Sequence, residues 1–275
     1  MQTPKPSAQV RKRDDIYAQR ATTRLWQELP AADNAYITAQ SRCHGYDLMA
    51  LMQKRSFVEV LYLLFRGELP TPEEAAMLEA LMVGFINPGP RHPATRAAMN
   101  AGIGKTAPTL ILPIALTTLS GKHNAAGSLE EGMRFLRKQR RQPAQEIALQ
   151  MLAETAHPAE GDCHIAPGFG SLYNGVDLMS TQVAAQLLPM PGAGATLKWG
   201  QQFAQALADA GLGWLATGVV AAVLTDLGFQ PRAAAGLYQI ISAPGLFAHG
   251  VEQANKPMTG MPFIDDEDYI IEYEK

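Results

Sequence analysis

The spacing of apolar residues restricts what this chain can fold into more than any single motif does. Leu48, Met49, Leu51 and Met52, then Phe57, Val58, Val60, Leu61, Leu63 and Leu64, then Met77, Leu78, Leu81 and Met82 recur at steps of three and four residues, the repeat that lines one face of an α-helix. No stretch alternates as a half-buried strand would. Leu69-Pro70-Thr71-Pro72-Glu73-Glu74 sets a capping threonine and a proline ahead of an alanine-rich run, so a helix is predicted to start at Pro72 with Thr71 as its cap. Further helices are predicted over Leu129 to Arg141, Pro143 to Glu154, Leu178 to Leu188, Ala195 to Ala210, Leu215 to Asp226, Pro231 to Ile241 and Leu246 to Glu252. The chain reads as all-α.

With 275 residues, 47% of them hydrophobic, such helices can bury a full core as one large domain or two smaller ones. The net charge of −3 argues against nucleic acid or an anionic membrane as a partner. The start, MQTPKPSAQVRKRDD, is polar and lacks the apolar run of a signal peptide, so residues 1–20 are expected to be a flexible lead and the protein cytoplasmic. Trp214 to Leu224, the most apolar segment, is about half the roughly 20 residues of a membrane span and reads as a buried helix. The two cysteines, Cys43 and Cys163, are each followed by a histidine, His44 and His164. Their number excludes a disulfide framework, and adjacent Cys and His side chains rarely point to one ion. Reduced structural thiols and no metal are expected.

Gly- and Pro-rich loops at 159–175 and 189–195 interrupt the helical pattern, setting off a middle section as a small subdomain, while Arg137 to Gln142 is a solvated basic run. Gly102-Ile103-Gly104-Lys105-Thr106 imitates the end of a P-loop, but Met99 stands where that motif needs glycine. Gly168-Phe169-Gly170-Ser171 lacks the flanking glycines of a nucleophile elbow, with Phe169 and Tyr173 in their places. Two segments look more like sites. SGKHNAAG, Ser120 to Gly127, sets His123 among small residues after the apolar run Thr109 to Leu119, and a Gly-rich break lets another molecule approach a group that titrates near neutral pH. Arg91-His92-Pro93 opens a helix of small residues, where an imidazole near the positive helix end could receive an anion.

HGYDLMALMQKRSFVEVLYLLFRGELPTPEE, from His44 to Glu74, resembles the N-terminal signature of the citrate synthase and citryl-CoA lyase superfamily. The resemblance continues through PRHPATRAA at Pro90 to Ala98, SGKHNAAG, the GFG turn at Gly168 to Gly170, AAVLTDLGF at Ala221 to Phe229 and GLFAHGVEQ at Gly245 to Gln253. It covers nearly everything after about residue 20. It implies an all-helical, citrate synthase-like fold: a large domain of residues 21–127 and 222–275 with a small domain, 128–221, inserted. It further implies a homodimer whose domains close over a CoA thioester co-substrate and a keto acid, with no permanently bound cofactor. The short final segment MPFIDDEDYIIEY resembles the lyase branch slightly more than the synthase branch.

Making or breaking a carbon–carbon bond beside a thioester requires a base for the α-carbon, a donor for the enolate oxygen and a donor at the keto oxygen. The resemblance places His123 on the family's enolate-stabilising histidine and His92 on the histidine that binds the dicarboxylate, so these two are the expected catalytic residues. Ser171 stands where the family has its second catalytic histidine, Thr217 where it has the base aspartate, and Ser242 where it has one of two arginines. These three are expected to line the substrate site. A threonine hydroxyl cannot replace a carboxylate base, a loss that typically costs about a hundredfold to ten-thousandfold in rate, and Asp209, Asp177 or Asp162 would be the relocated alternatives. No arginine lies between Arg141 and Arg232, and Lys198 is the single lysine there, so the small-domain wall of the cleft is expected to be poor in charge. Two readings follow. One is an acyl-CoA lyase or acyltransferase of the citrate synthase type, handling acetyl-CoA and oxaloacetate or an altered substrate in a degenerate site. The other is a catalytically silent paralogue that serves as partner or regulatory subunit, in a hetero-oligomer with a full-site homologue.

Overall fold

The computed structural model describes residues 21–154, 163–262 and 264–272, so the predicted N-terminal lead lies outside the described residues. The chain divides into two compact units, Met1–Arg55 and Ser56–Lys275. In the first, β1 (Trp26–Pro30), β2 (Thr38–Cys43) and β3 (Tyr46–Asp47) form an antiparallel meander. It leads into α1 (Leu48–Lys54), capped by the Asp47 carboxylate accepting from the Ala50 amide at 3.0 Å. Strands were not expected here. β1 and β2 are five and six residues long and mostly solvent-facing, so they bury too little to imprint a two-residue hydrophobic period.

The second unit is helical: α2 (Phe57–Arg66), α3 (Pro72–Gly84), α4 (Pro93–Ile103), α5 (Pro108–Leu119), α6 (Leu129–Gln139), α7 (Ala144–Glu154), α8 (Leu178–Leu187), α9 (Ala195–Ala206), α10 (Ala216–Asp226) and α11 (Ala234–Ala254). Thr71 caps α3 as expected. Its hydroxyl accepts from the Glu74 amide at 3.2 Å, and the Glu74 carboxylate accepts from the Thr71 amide at 2.9 Å, a reciprocal capping box. Every residue of α10 from Thr217 to Thr225 is buried, and among the described residues no helix is long and apolar enough to cross a membrane. Phe169, Phe203 and Trp214 form an aromatic cluster in the same core, with centroids 4.8 Å apart for Phe169 and Phe203 and 4.5 Å for Phe169 and Trp214.

Several boundaries differ from the sequence reading. The helix expected over Ala195 to Ala210 ends at Ala206 and is followed by a 3-10 turn, Ala208–Ala210. The two helices expected over Pro231 to Ile241 and Leu246 to Glu252 are one helix, α11, preceded by a 3-10 turn at Pro231–Ala233. Pro244 deprives α11 of one amide donor, yet the chain runs through because the loop after α3 binds the interruption: the Gly245 amide donates to the Ile86 carbonyl at 3.1 Å. A second small sheet, β4 (His164–Ala166), β5 (Phe169–Gly170) and β6 (Gly213–Trp214), was also unexpected, since strands of two or three residues carry no period.

Asp226, the last residue of α10, caps α9: its carboxylate accepts from the Thr196 and Leu197 amides, each at 2.9 Å, and lies 3.9 Å from the Arg140 guanidinium beyond the end of α6.

Candidate functional site

His92 is the N-cap of α4. Its Nδ1 accepts from the Ala94 amide at 3.1 Å, which leaves the imidazole proton on Nε2, directed at the Asn124 carbonyl at 3.4 Å. Partial burial holds the His92 pKa below its ordinary value, opposed by the Asn124 bond, so the ring is neutral at neutral pH and acts as a donor through Nε2. The geometry therefore brings His92 onto the turn that carries His123. That turn, Ser120 to Gly127, is closed by the Gly127 amide donating to the Gly121 carbonyl at 2.9 Å. It holds Asn124 at φ +48° and leaves the Asn124 Oδ1 buried without a hydrogen-bond partner.

His123 is exposed, and its ring lies against that of His164, centroids 4.6 Å apart at 57°. His164 opens β4, opposite Gly170 of β5. Sequence reasoning missed this pairing; the Cys163-His164 dipeptide was its one signal, read there for a disulfide, a metal or a structural thiol and not for a ring contact. One residue further along the hairpin, Ser171 donates its amide to the Cys163 carbonyl at 2.8 Å and accepts from the Cys163 amide on Oγ at 3.2 Å. Its hydroxyl thus closes the hairpin. The turn between the strands sits on α10: the Gly168 carbonyl accepts from the Leu215 amide at 3.0 Å. Gly168, at φ +87°, lies so close to α10 that a Cβ there would stand 2.4 Å from the Gly218 Cα. Thr217, 2% exposed, is in this first turn of α10.

These contacts form one chain of neighbours from His92 through Asn124 and His123 to His164, the Ser171 hairpin and the start of α10. Ser242 is not joined to it by any of these contacts. It is fully buried in α11, where its hydroxyl donates to the Phe85 carbonyl at 3.4 Å. Burial, reinforced by Asp177 and opposed by the Ser242 hydroxyl, pushes the Tyr238 pKa up to about 12. Of the relocated bases considered, Asp177 caps α8, accepting from the Ser180 amide at 3.0 Å and the Ser180 hydroxyl at 2.5 Å. Asp209 is exposed in the turn after α9, and Asp162 lies outside the described residues. Lys198 is exposed on α9. Both cysteines are buried and unbridged, and among the described residues no three His, Cys, Asp or Glu side chains assemble a metal site.

Beside His92 is a cavity of about 920 Å³, lined by Arg91, Arg96 and Asn100 on the α4 side and by Tyr173, Met261 and Ile264 opposite. Sequence reasoning looked for arginine at two family positions and missed this pair, although Arg91 is adjacent to His92 and Arg96 lies one helical turn beyond.

Comparison with protein-family models and with curated proteins gives no match. Solved structures do match. The citryl-CoA lyase from Hydrogenobacter thermophilus superposes with a TM-score of 0.72 at 25% identity, over 93% of this chain and 94% of that one. The ATP citrate lyase from Methanothrix soehngenii, solved with citrate and coenzyme A, gives 0.67 at 15% identity over 94% of this chain, which spans 44% of that protein. The citrate synthase from Thermotoga maritima MSB8 gives 0.57 at 16% identity over 80% of this chain and 60% of that one. The helical architecture, the order of the motifs and the near full-length match to the lyase identify the chain as a member of the citrate synthase and citryl-CoA lyase superfamily, with the lyase branch favoured.

Proposed function

We propose that the protein makes or cleaves a carbon–carbon bond next to an acyl-CoA thioester, with acetyl-CoA and a keto acid as the two fragments, in a site that has lost part of the family's machinery. The observation that supports this reading is the hydrogen bond from His92 to the backbone of the turn bearing His123. In the cleavage direction the substrate hydroxyl gives its proton to water, which returns one to the enolate carbon at the end, and the carbon–carbon bond breaks. Its electron pair passes into the thioester as an enolate, which is then protonated to the acetyl group. A neutral His92 suits the oxygen that becomes the keto group, because its Nε2–H is a donor and the 3.4 Å bond it makes is long enough to exchange for a substrate oxygen. His123 then serves the thioester oxygen, where negative charge develops. The supporting frame is a homodimer in the cytoplasm, with residues 128–221 as a small domain that closes on the rest.

The silent-subunit reading keeps its own support: the Ser171 and Ser242 hydroxyls are engaged in backbone packing, and Thr217 is buried. One assay separates the two. The purified protein is incubated with citryl-CoA, and separately with acetyl-CoA and oxaloacetate, following acetyl-CoA formation or CoA release. Turnover that is lost in His123→Ala establishes the enzyme. No turnover, with co-purification of a relative carrying the full residue set, establishes the subunit.

A further inference from the structure

The cavity beside His92 carries an inference about recognition that rests on the reading above. Two guanidiniums face it, Arg91 and Arg96, and no acidic residue lines it, although the chain as a whole has a net charge of −3. Among the described residues neither guanidinium has a hydrogen-bond or ion-pair partner. Four other arginines of this second unit are engaged, Arg66 with Glu68, Arg134 with Glu130, Arg137 with the Phe229 carbonyl and Arg140 with Thr196, whereas Arg141 and Arg232, among the described residues, share the free state of the pair but line no common cavity with it. Arg96 and Asn100 are four residues apart on α4, so they share a face, and Arg91 is bonded to His92. Beside Tyr173, the opposite wall is Met261 and Ile264 and carries no carboxylate.

The rim adds a second observation. Leu172 and Gly175 exchange backbone hydrogen bonds at 2.8 and 2.9 Å across a tight turn whose central residues, Tyr173 and Asn174, stand at φ +50° and +60°. Asn-Gly is the ordinary choice for such a turn, and an aromatic residue in the left-handed region is strained. Here a tyrosine, 80% exposed, accepts that strain with its side chain on the cavity wall. A strained aromatic at the rim and two unneutralised forks describe a pocket for a small organic polyanion.

We propose that Arg91 and Arg96 are the guanidinium pair that holds the carboxylates of the substrate, in place of the two arginines the family pattern leaves vacant. The cations then enter from the α4 side, whereas the charge-poor segment 142–231 has no part in the grip. The bidentate fork matters, so lysine does not substitute fully.

The test is calorimetric titration of the full chain with citrate and, separately, with coenzyme A. Wild type binds citrate; Arg91→Gln and Arg96→Gln each weaken it at least tenfold, Arg96→Lys loses part of that, and the double variant shows no binding. Arg232→Gln, an equal charge change outside the cavity, leaves citrate binding as it is. Thermal melts matching wild type exclude unfolding as the cause, and a variant that melts early is replaced by its lysine counterpart. Absence of citrate binding in wild type, equal binding in the arginine variants, or a loss confined to coenzyme A, which would make the pair a phosphate holder, each overturns the proposal. Because binding is read without turnover, an inactive protein whose citrate binding depends on both arginines sinks the enzymatic reading alone. An active protein indifferent to them sinks this inference alone.

Discussion

The contact between Gly168 and Gly218 can be tested by a single methyl group. At Gly168 an alanine would incur two costs. The backbone is at φ +87°, where an L side chain is strained, and the new Cβ would stand 2.4 Å from the Gly218 Cα and 2.8 Å from its amide nitrogen. Gly211 provides the reference, because its φ of +72° imposes the first cost while nothing lies within 4 Å of the added carbon. Gly211→Ala is therefore expected to lose about 1–2 kcal/mol, the left-handed term alone. Gly168→Ala adds overpacking against helix backbone, which has little room to give, for a total of about 2–5 kcal/mol. Gly218→Ala approaches the same contact from the helix side. Helix propensity alone would favour alanine there by about 1 kcal/mol, yet its Cβ would meet the Gly168 carbonyl oxygen at 2.0 Å, so a net loss is expected. Urea unfolding of the three variants, analysed with a common slope, gives the comparison. A Gly168→Ala loss no larger than that of Gly211→Ala, or a Gly218→Ala that stabilises, would refute the close approach on which the placement of the hairpin rests.

Three further outcomes are expected. His123→Ala and His164→Ala should each lower citryl-CoA turnover about a hundredfold or more if both rings act on the reacting atoms; loss in the first and none in the second would reduce His164 to packing. Because burial lowers the His92 pKa in the folded state, the unfolded chain binds the proton more readily. Stability should therefore fall as pH drops below the ordinary histidine value near 6.5 toward the lowered one, and urea midpoints for His92→Gln should lack that part of the slope. Tyr238 is displaced the other way: ultraviolet titration should show one phenol resisting ionisation to about pH 12 and disappearing from the curve in Tyr238→Phe. The corresponding stability is lost as pH rises from the ordinary tyrosine value through that range.

The helices were legible where a segment's own residues decide its structure. Thr71, Pro72 and Glu74 specify the start of α3 locally, and the observed capping box needs nothing from elsewhere. Pro244 misled for the opposite reason: its effect on α11 depends on the Ile86 carbonyl, more than 150 residues away in sequence, and no local rule anticipates that acceptor. In the site, His92 and His123 could be named from motif order, but the bond that joins them runs through the Asn124 carbonyl, a main-chain atom that no pattern of side chains reveals. His164 and Ser171 stood within one short segment, yet only the register of a two-residue strand decides which of them reaches His123. Arg91 was read only as the neighbour of His92, and its pairing with Arg96 shows only where Tyr173 and the residues near Met261 close the far side of a cavity.

The carboxylate of Asp226 draws the end of α10, the start of α9 and Arg140 to a single point. Sliding α9 against α10 would strip two amides from that carboxylate at once and strand it in a position where its side chain is only 7% exposed. The two helices therefore travel together as one rigid arm. The link beyond Asp226 is held as well: the Gly228 carbonyl accepts from the Arg66 guanidinium at 2.6 Å and the Leu227 carbonyl from the Tyr62 hydroxyl at 3.4 Å, so the start of α9 is tied through α10 to α2.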